Sequence, residues 1–200
     1  MQREDWDRRY AGVESLWAAK PNRFLVAEVA SLAPGRALDL ACGEGQNSIW
    51  LASLGWTVTG IDFSSVAIEK AKARAAREGV AVEFLCRDLL DFHPDADAHE
   101  LVLVFYIHIP PAGRRVVLER AAAAVAPGGT FVLVGHDLTN LDEGVGGPSD
   151  PELLFTPDDI VAELPGLEVE KAERVLRNVD DADRPAIDAL VRARKPREGP

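Results

Sequence analysis

Residues 101–105, Leu-Val-Leu-Val-Phe, form an unbroken apolar run with no polar side chain at alternate positions. A strand with that pattern is buried on both faces, so a layer of structure has to pack on each side of its sheet. The rest of the chain can supply those layers. Short apolar segments alternate with helical patterns along most of the sequence, the signature of a parallel sheet covered by helices. Strands are expected at residues 36–40, 57–61, 82–86, 101–105 and 130–135. Helices are expected between them: one at 48–54, one starting at Ser64 or Ser65 and ending at Glu78, and one at 112–126. Gly55, Gly79 and Pro127-Gly128-Gly129 serve as stops. Residues 136–155 then read as a long Gly/Pro/Asp-rich loop of the kind that forms lids and binding loops. Thr156-Pro157-Asp158-Asp159 has the residues of a helix start, with a Thr cap, Pro at the first helical position and acids in the first turn. That helix is expected to stop at Pro165-Gly166. A sixth strand follows at 167–175. At 186–194, Ile187, Ala189, Val191 and Ala193 alternate with mostly polar neighbours, as in an antiparallel edge strand.

The stretch Leu38-Asp39-Leu40-Ala41-Cys42-Gly43-Glu44-Gly45 places a glycine turn directly after the first strand, and Asp62 closes the second. Glycines there let the backbone approach a nucleotide-like ligand, and an acid at the end of the second strand can accept both ribose hydroxyls. The ligand is then a matter of charge. Residues 37–69 contain no Lys, Arg or His, while Asp39, Glu44, Asp62 and Glu69 are acidic. Acids beside the turn oppose a pyrophosphate and favour a ligand carrying a sulfonium and an ammonium. Ser48 also stands where the dinucleotide pattern has a third small residue, Gly or Ala. These features point away from a nicotinamide dinucleotide and toward S-adenosylmethionine.

With Gly60-Ile-Asp62-Phe-Ser64, Cys86-Arg-Asp88-Leu89, Tyr106-Ile-His108-Ile-Pro110 and Pro127-Gly-Gly129, these residues resemble the class I S-adenosylmethionine-dependent methyltransferases. Within them the chain is most similar to the small tellurite-resistance-type and thiopurine-type enzymes, through Trp6, Tyr10, the Asp39 to Asn47 stretch and Gly135-His136-Asp137. The acid before the fourth strand is Glu100 where the family commonly has Asp. The resemblance implies a Rossmann-like α/β fold with seven strands in the order 3-2-1-4-5-7-6, the seventh antiparallel, and helices on both faces. It implies one domain over residues 1–195, with a helical cover at 1–34, a cofactor-binding core at 35–136, a substrate-side loop and helix at 137–166 and a terminal hairpin at 167–195. Residues 196–200 are left as a tail. S-adenosylmethionine is the implied cofactor, S-adenosylhomocysteine its product and a small molecule the acceptor. Asp39, Ala41, Cys42, Gly43, Gly45 and Asn47 are implied at the amino-acid end of the cofactor, Asp62 at the ribose, and Phe63 and Ser64 beside it. Asp88 and Leu89 are implied at the adenine, and Phe105 or Tyr106 near the sulfonium.

Other residues are read on their own chemistry. Cys42 stands between two acids, which raise a thiol's pKa, so it is a packing residue of the pocket wall rather than a nucleophile. His108 and His136 each follow a buried strand at its carboxyl end, the rim where ligands sit in open α/β sheets. Either is a candidate base for a hydroxyl or amine acceptor, with Tyr106 beside them, and Asp137 is a candidate either to orient a histidine or to cap a turn. His93 and His99 fall in a polar stretch and are expected to be solvated. Trp6, Tyr10 and Trp17 make an aromatic segment able to close over the cofactor or simply to pack as a helix face. A binding protein of the same fold that transfers nothing, or less favourably a nicotinamide oxidoreductase, are the rival functions.

Charge and cysteine content narrow the partners. Lys and Arg number 22 against 33 Asp and Glu, a net charge of −11, which repels nucleic acid and anionic membranes. The two cysteines, Cys42 and Cys86, have no metal-ligand spacing, so neither a disulfide framework nor a metal site is expected. No apolar run has the length of a membrane span and the start carries no leader pattern, so a cytoplasmic protein, monomer or homodimer, is expected. Residues 137–188 hold fifteen acids and four bases, which is the whole of the net charge. The resemblance places that region next to the substrate entrance, where it either steers neutral or cationic acceptors in more readily than oxyanions or is simply a solvated, solubilising surface.

Overall fold

The computed structural model describes residues 3–16 and 20–197. The apolar run lies in β4 (His99–Phe105), and its side chains divide between two cores. Val102 and Val104 pack with Val117, Leu118 and Ala121 of helix α5 (Pro111–Ala124), while Leu101 and Leu103 face Leu25 and Val29 of helix α2 (Arg23–Val29). β4 is flanked by β1 (Arg36–Leu40) and β5 (Val125–His136), both parallel to it. Beyond β1 lie β2 (Thr57–Asp62) and β3 (Glu83–Cys86). Beyond β5 lie β7 (Ala186–Arg194) and, at the edge, β6 (Glu168–Arg177), paired antiparallel. The order is thus 3-2-1-4-5-7-6, as expected.

Helices α3 (Gln46–Ser53) and α4 (Ser65–Glu78) follow β1 and β2. Ser64 caps α4 by accepting from Ala67 N at 3.1 Å, and Gly79 ends it in a left-handed conformation. The glycine turn before α3 is fixed from below. A Cβ on Gly45 would come within 2.7 Å of the Phe84 ring, and one on Gly60 within 2.9 Å, so both positions exclude a side chain while Phe84 fills the space. The N-terminal helix α1 (Arg3–Ala11) lies against α4, held where Lys70 Nζ donates to Tyr10 O and Val13 O at 2.6 Å each. Trp17 falls outside the described residues.

Several expectations need correction. β5 begins at Val125 and carries Pro127-Gly128-Gly129 within it, because Gly129 closes to the His99 carbonyl and a register shift absorbs the turn. His99 is part of β4 and buried, and desolvation holds its pKa below the usual histidine value. β7 lies inside the sheet, and the edge strand is β6. The segment 136–155 holds a short helix α6 (Asn140–Glu143) and a single turn at Pro151–Leu153. The capping box of Thr156 and Asp159 opens helix α7 (Pro157–Val161), which ends before Pro165. Leu103 is fully buried in the central strand. Leu103→Ala should lower unfolding stability by about 3 kcal/mol in urea titration, and a loss under about 1 kcal/mol would contradict the double burial of β4.

Candidate active site

The strand order reverses between β1 and β4, and in open α/β sheets ligands bind beyond the carboxyl ends of the strands at such a point. A cavity of about 960 Å³ opens there. Ala41 and Tyr106, the residues that follow β1 and β4, both line it and both have positive φ, 63° and 54°. Non-glycine residues in that region carry strain that persists where surrounding contacts enforce it, commonly at functional sites.

One end of the cavity is built by the glycine turn and the ends of β2 and β3. The buried Asp62 carboxylate accepts from Gly43 N and Ser64 N, each at 2.9 Å, tying the turn to β2. Burial raises its pKa. Asp39 lies beneath the turn, where Ser48 Oγ donates to one carboxylate oxygen at 2.6 Å and the other is buried with no partner. Burial first, and Asp62 second, push its pKa up to about 7. A cationic group brought to this end would relieve that penalty, so the donor set suits a sulfonium and ammonium ligand. Asp88 accepts from Leu90 N at 2.9 Å and lines the cavity with Leu89 and Phe63.

The other end is built by β4, β5 and the terminal hairpin. His108 and His136 stand with ring centroids 5.9 Å apart and planes 16° from parallel, and Trp6 lies beyond His108 at 6.0 Å. Tyr106 is 5.1 Å from the His136 ring. Its hydroxyl donates to Asp188 at 2.8 Å, and burial and Asp188 push its pKa up. Both ring nitrogens of His108 are buried without partners, and burial, with His136 and Arg9 adding to it, pushes its pKa down to about 4.

Of the residues expected from sequence, the cavity is lined by Trp6, Tyr10, Ala41, Cys42, Gly43, Asn47, Asp62, Phe63, Asp88, Leu89, Phe105, Tyr106, His108 and His136. Asp39, Gly45 and Ser64 stand behind that wall: Gly45 caps α3 and Ser64 caps α4. Burial holds the Cys42 thiol well above its usual pKa, with Asp39 and Asp62 adding to it, in keeping with a packing role. Of the two roles open to Asp137, the structure shows the turn cap and not the orienting of a histidine. Its carboxylate accepts from Thr139 N and Oγ1 and pairs with Arg174 at 2.9 Å. The acid facing His136 is Asp188, with His136 Nδ1 3.3 Å from its Oδ1.

Sequence reasoning missed Asp188, Arg177, Asn22 and Gln46. Asp188 showed one signal, an acid between Ile187 and Ala189 in a strand otherwise rich in small and branched residues. Glu44 turns from the cavity toward the N-terminal segment, accepting from Leu16 N at 2.9 Å and meeting Lys70 at 3.3 Å. Lys20, Arg23 and Arg177, distant in sequence, bring positive charge to the cavity. Of the acids in 137–188, Asp150 is the one among its lining residues, so the cavity itself gives no support to steering of cations. Among the described residues no cluster of three or more His, Cys, Asp and Glu could hold a metal ion, and no helix is long and apolar enough to cross a membrane.

Residues 37–129 match the family model for a methyltransferase domain. The chain is 29% identical over 129 residues to a ubiquinone biosynthesis O-methyltransferase of Coxiella burnetii, an alignment covering 63% of this chain and 54% of that protein. It is 27% identical over 150 residues to a probable thiol methyltransferase of Arabidopsis thaliana, covering 72% of this chain and 65% of that protein. Here the chain spans about half the length of the Coxiella relative. A solved structure concerned with conversion of a disulfide bond into a thioacetal group during echinomycin biosynthesis shares the fold. Its TM-score is 0.78 at 24% identity, covering 98% of this chain and 93% of that one.

The electrostatics of His108 give a measurable outcome. An unfolded-chain histidine protonates near pH 6.5, so acidification from there to about pH 4 loads the unfolded state with a proton that folded His108 refuses. This residue's share of stability therefore falls over that window as pH falls. NMR titration should show the His108 ring neutral at pH 5, and a ring that titrates near its ordinary value would contradict its desolvation.

Proposed function

We propose, from the match of residues 37–129 to a methyltransferase domain and from the cavity's donor set, that the chain is a class I S-adenosylmethionine-dependent methyltransferase that transfers a methyl group from S-adenosylmethionine to a small-molecule acceptor. The observation that carries this reading is the division of one cavity into two chemically distinct ends. Asp62 and Asp88 offer carboxylates at the ends of β2 and β3, while a stack of Trp6, His108 and His136 walls the other end. The bound cofactor supplies an electrophilic methyl group on a sulfonium.

The protein's own work is then alignment and exclusion of water. Asp62, fixed by two backbone N–H groups, keeps lone pairs free for ribose hydroxyls. Asp88 and Leu89 bound the adenine side. The buried Oε1 of Gln46, which lines the cavity, is an unsatisfied acceptor that suits the ligand's ammonium side, and Asp39 sets an acid behind the same wall. Tyr10 and Trp6 from α1 cover the opening, and Asn47 holds the connection to α2 by accepting from Asn22 N at 2.9 Å. In-line displacement gains from such positioning because the reacting atoms are held near contact in a dry site.

Calorimetry with S-adenosylhomocysteine tests the reading. Wild-type protein should bind it more tightly than NAD. Asp62→Asn should weaken binding about 100-fold, the cost of two charge-assisted hydrogen bonds, roughly 3 kcal/mol. Tighter binding of NAD, or an unchanged affinity in Asp62→Asn, would remove the assignment.

A further inference from the structure

We propose that Asp188 is a positioning residue that fixes His136 as the base of the transfer, and that the acceptor is a molecule whose reacting atom carries a dissociable proton: a hydroxyl, thiol or amine. The proposal deepens the methyl-transfer reading above and rests on it.

The juxtaposition is built into the sheet. In the register of β5 against β7, His136 stands directly opposite Asp188. Residues directly opposite in an antiparallel pair are the closest side-chain neighbours a sheet provides. The Asp188 side chain has no solvent exposure, and a buried carboxylate is tolerated only when paired and hydrogen-bonded. Three groups meet it. Arg177 Nε donates to Oδ2 at 2.7 Å and the Tyr106 hydroxyl donates to the same oxygen at 2.8 Å, while His136 Nδ1, a buried atom that makes no hydrogen bond, lies 3.3 Å from Oδ1 as its nearest anion. All three partners line the cavity. Burial alone would raise the Asp188 carboxyl, but His136, Arg177 and Tyr106 together hold it below the usual carboxylate value, so it is an anion.

An anion beside Nδ1 selects the tautomer with the proton on Nδ1 and leaves the Nε2 lone pair available. Gly147 backs the Cγ, Cδ2 and Nδ1 side of the ring so closely that a Cβ there would lie 2.8 Å from Cγ. The neighbouring candidates are unsuited. His108 has no carboxylate beside it and is a very weak base. Tyr106 keeps its proton on Asp188. The charged and titratable groups facing His136 are Asp188 from β7, Arg177 from β6, and Tyr106 and His108 from the segment after β4. Arg177 pairs with the Asp188 carboxylate on the side of Oδ2.

In the step, the acceptor atom gives its proton to His136 Nε2 and its electron pair forms the new bond to the methyl carbon. The sulfur–methyl bond breaks with its pair left on sulfur, and the imidazolium, paired with Asp188, releases the proton to solvent.

Imidazole nitrogen NMR on histidine-labelled protein loaded with S-adenosylhomocysteine, near pH 8, tests the positioning. Wild-type His136 should be the Nδ1–H tautomer. Asp188→Asn should lose that preference while binding S-adenosylhomocysteine within about threefold of wild type. An Nε2–H tautomer in the wild type, or one that Asp188→Asn leaves unchanged, overturns the proposal; should the variant not fold, the wild-type tautomer decides. A turnover panel of phenols, thiols, amines, tellurite and selenite tests the acceptor class. Turnover is expected with a proton-bearing member, with kcat about 100-fold lower in Asp188→Asn and KM within about threefold. Turnover confined to the metalloid oxyanions, or absent from the whole panel, overturns it. Wild-type protein that does not bind S-adenosylhomocysteine defeats the methyltransferase reading itself, a distinguishable result.

Discussion

The site depends on the Asp62 carboxylate, which joins the glycine turn after β1 to the cap of the helix after β2 through two backbone N–H groups. Without it the turn keeps only the backbone bond from Cys42 N to Ile61 O on that side, and the cavity loses the carboxylate on which a nucleoside could rest. The anchoring is possible because Phe84 from β3 packs beneath Gly45 and Gly60 and lets the two strand ends approach. Local backbone chemistry, aromatic packing and ligand recognition thus meet at one buried acid. Its burial costs solvation, seen in its raised pKa, and a ligand with donors for its remaining lone pairs offsets that cost.

The opposite end of the cavity follows from a different constraint, the antiparallel pairing of the terminal hairpin with β5. That register places Asp188 opposite His136 on one side and opposite Val175 of β6 on the other, and Arg177, the last residue of β6, closes on the same carboxylate. The hairpin completes the sheet and also brings Asp188 and Arg177 to the end of the cavity walled by His136 and Tyr106. A carboxylate buried in the middle of a sheet is costly for stability alone, since an apolar residue would pack there more cheaply. Its convergence with three cavity-lining groups gives the reason for keeping it.

The parts of this arrangement that were legible in the sequence share one property: they are encoded by neighbours. The doubly buried strand at 101–105, the glycine turn, the Ser64 cap and the Thr156 capping box each depend on residues a few positions apart, and strand order followed from the resemblance they carry. What escaped was encoded by distance. Asp137 follows His136 in the chain and is one candidate for its partner, but it lies past the end of β5 and caps a turn through Thr139, and the acid opposite His136 comes from β7. The segment from 37 to 69 contains no base, yet Lys20, Arg23 and Arg177 reach the cavity from other segments, so charge counted along the chain misjudged charge in space. His99 looked solvated because its sequence neighbours are polar, whereas β4 begins earlier than its apolar run.

The central claim is that one cavity holds the cofactor at the glycine turn and points its sulfur toward His136 and Tyr106. The most direct measurement is the crystal structure of the protein with S-adenosylhomocysteine. It should show the ribose hydroxyls on the Asp62 carboxylate, the adenine beside Asp88 and Leu89, and the sulfur directed to the end walled by His108 and His136. A ligand bound with its adenine among the histidines, or bound outside this cavity, would contradict the account.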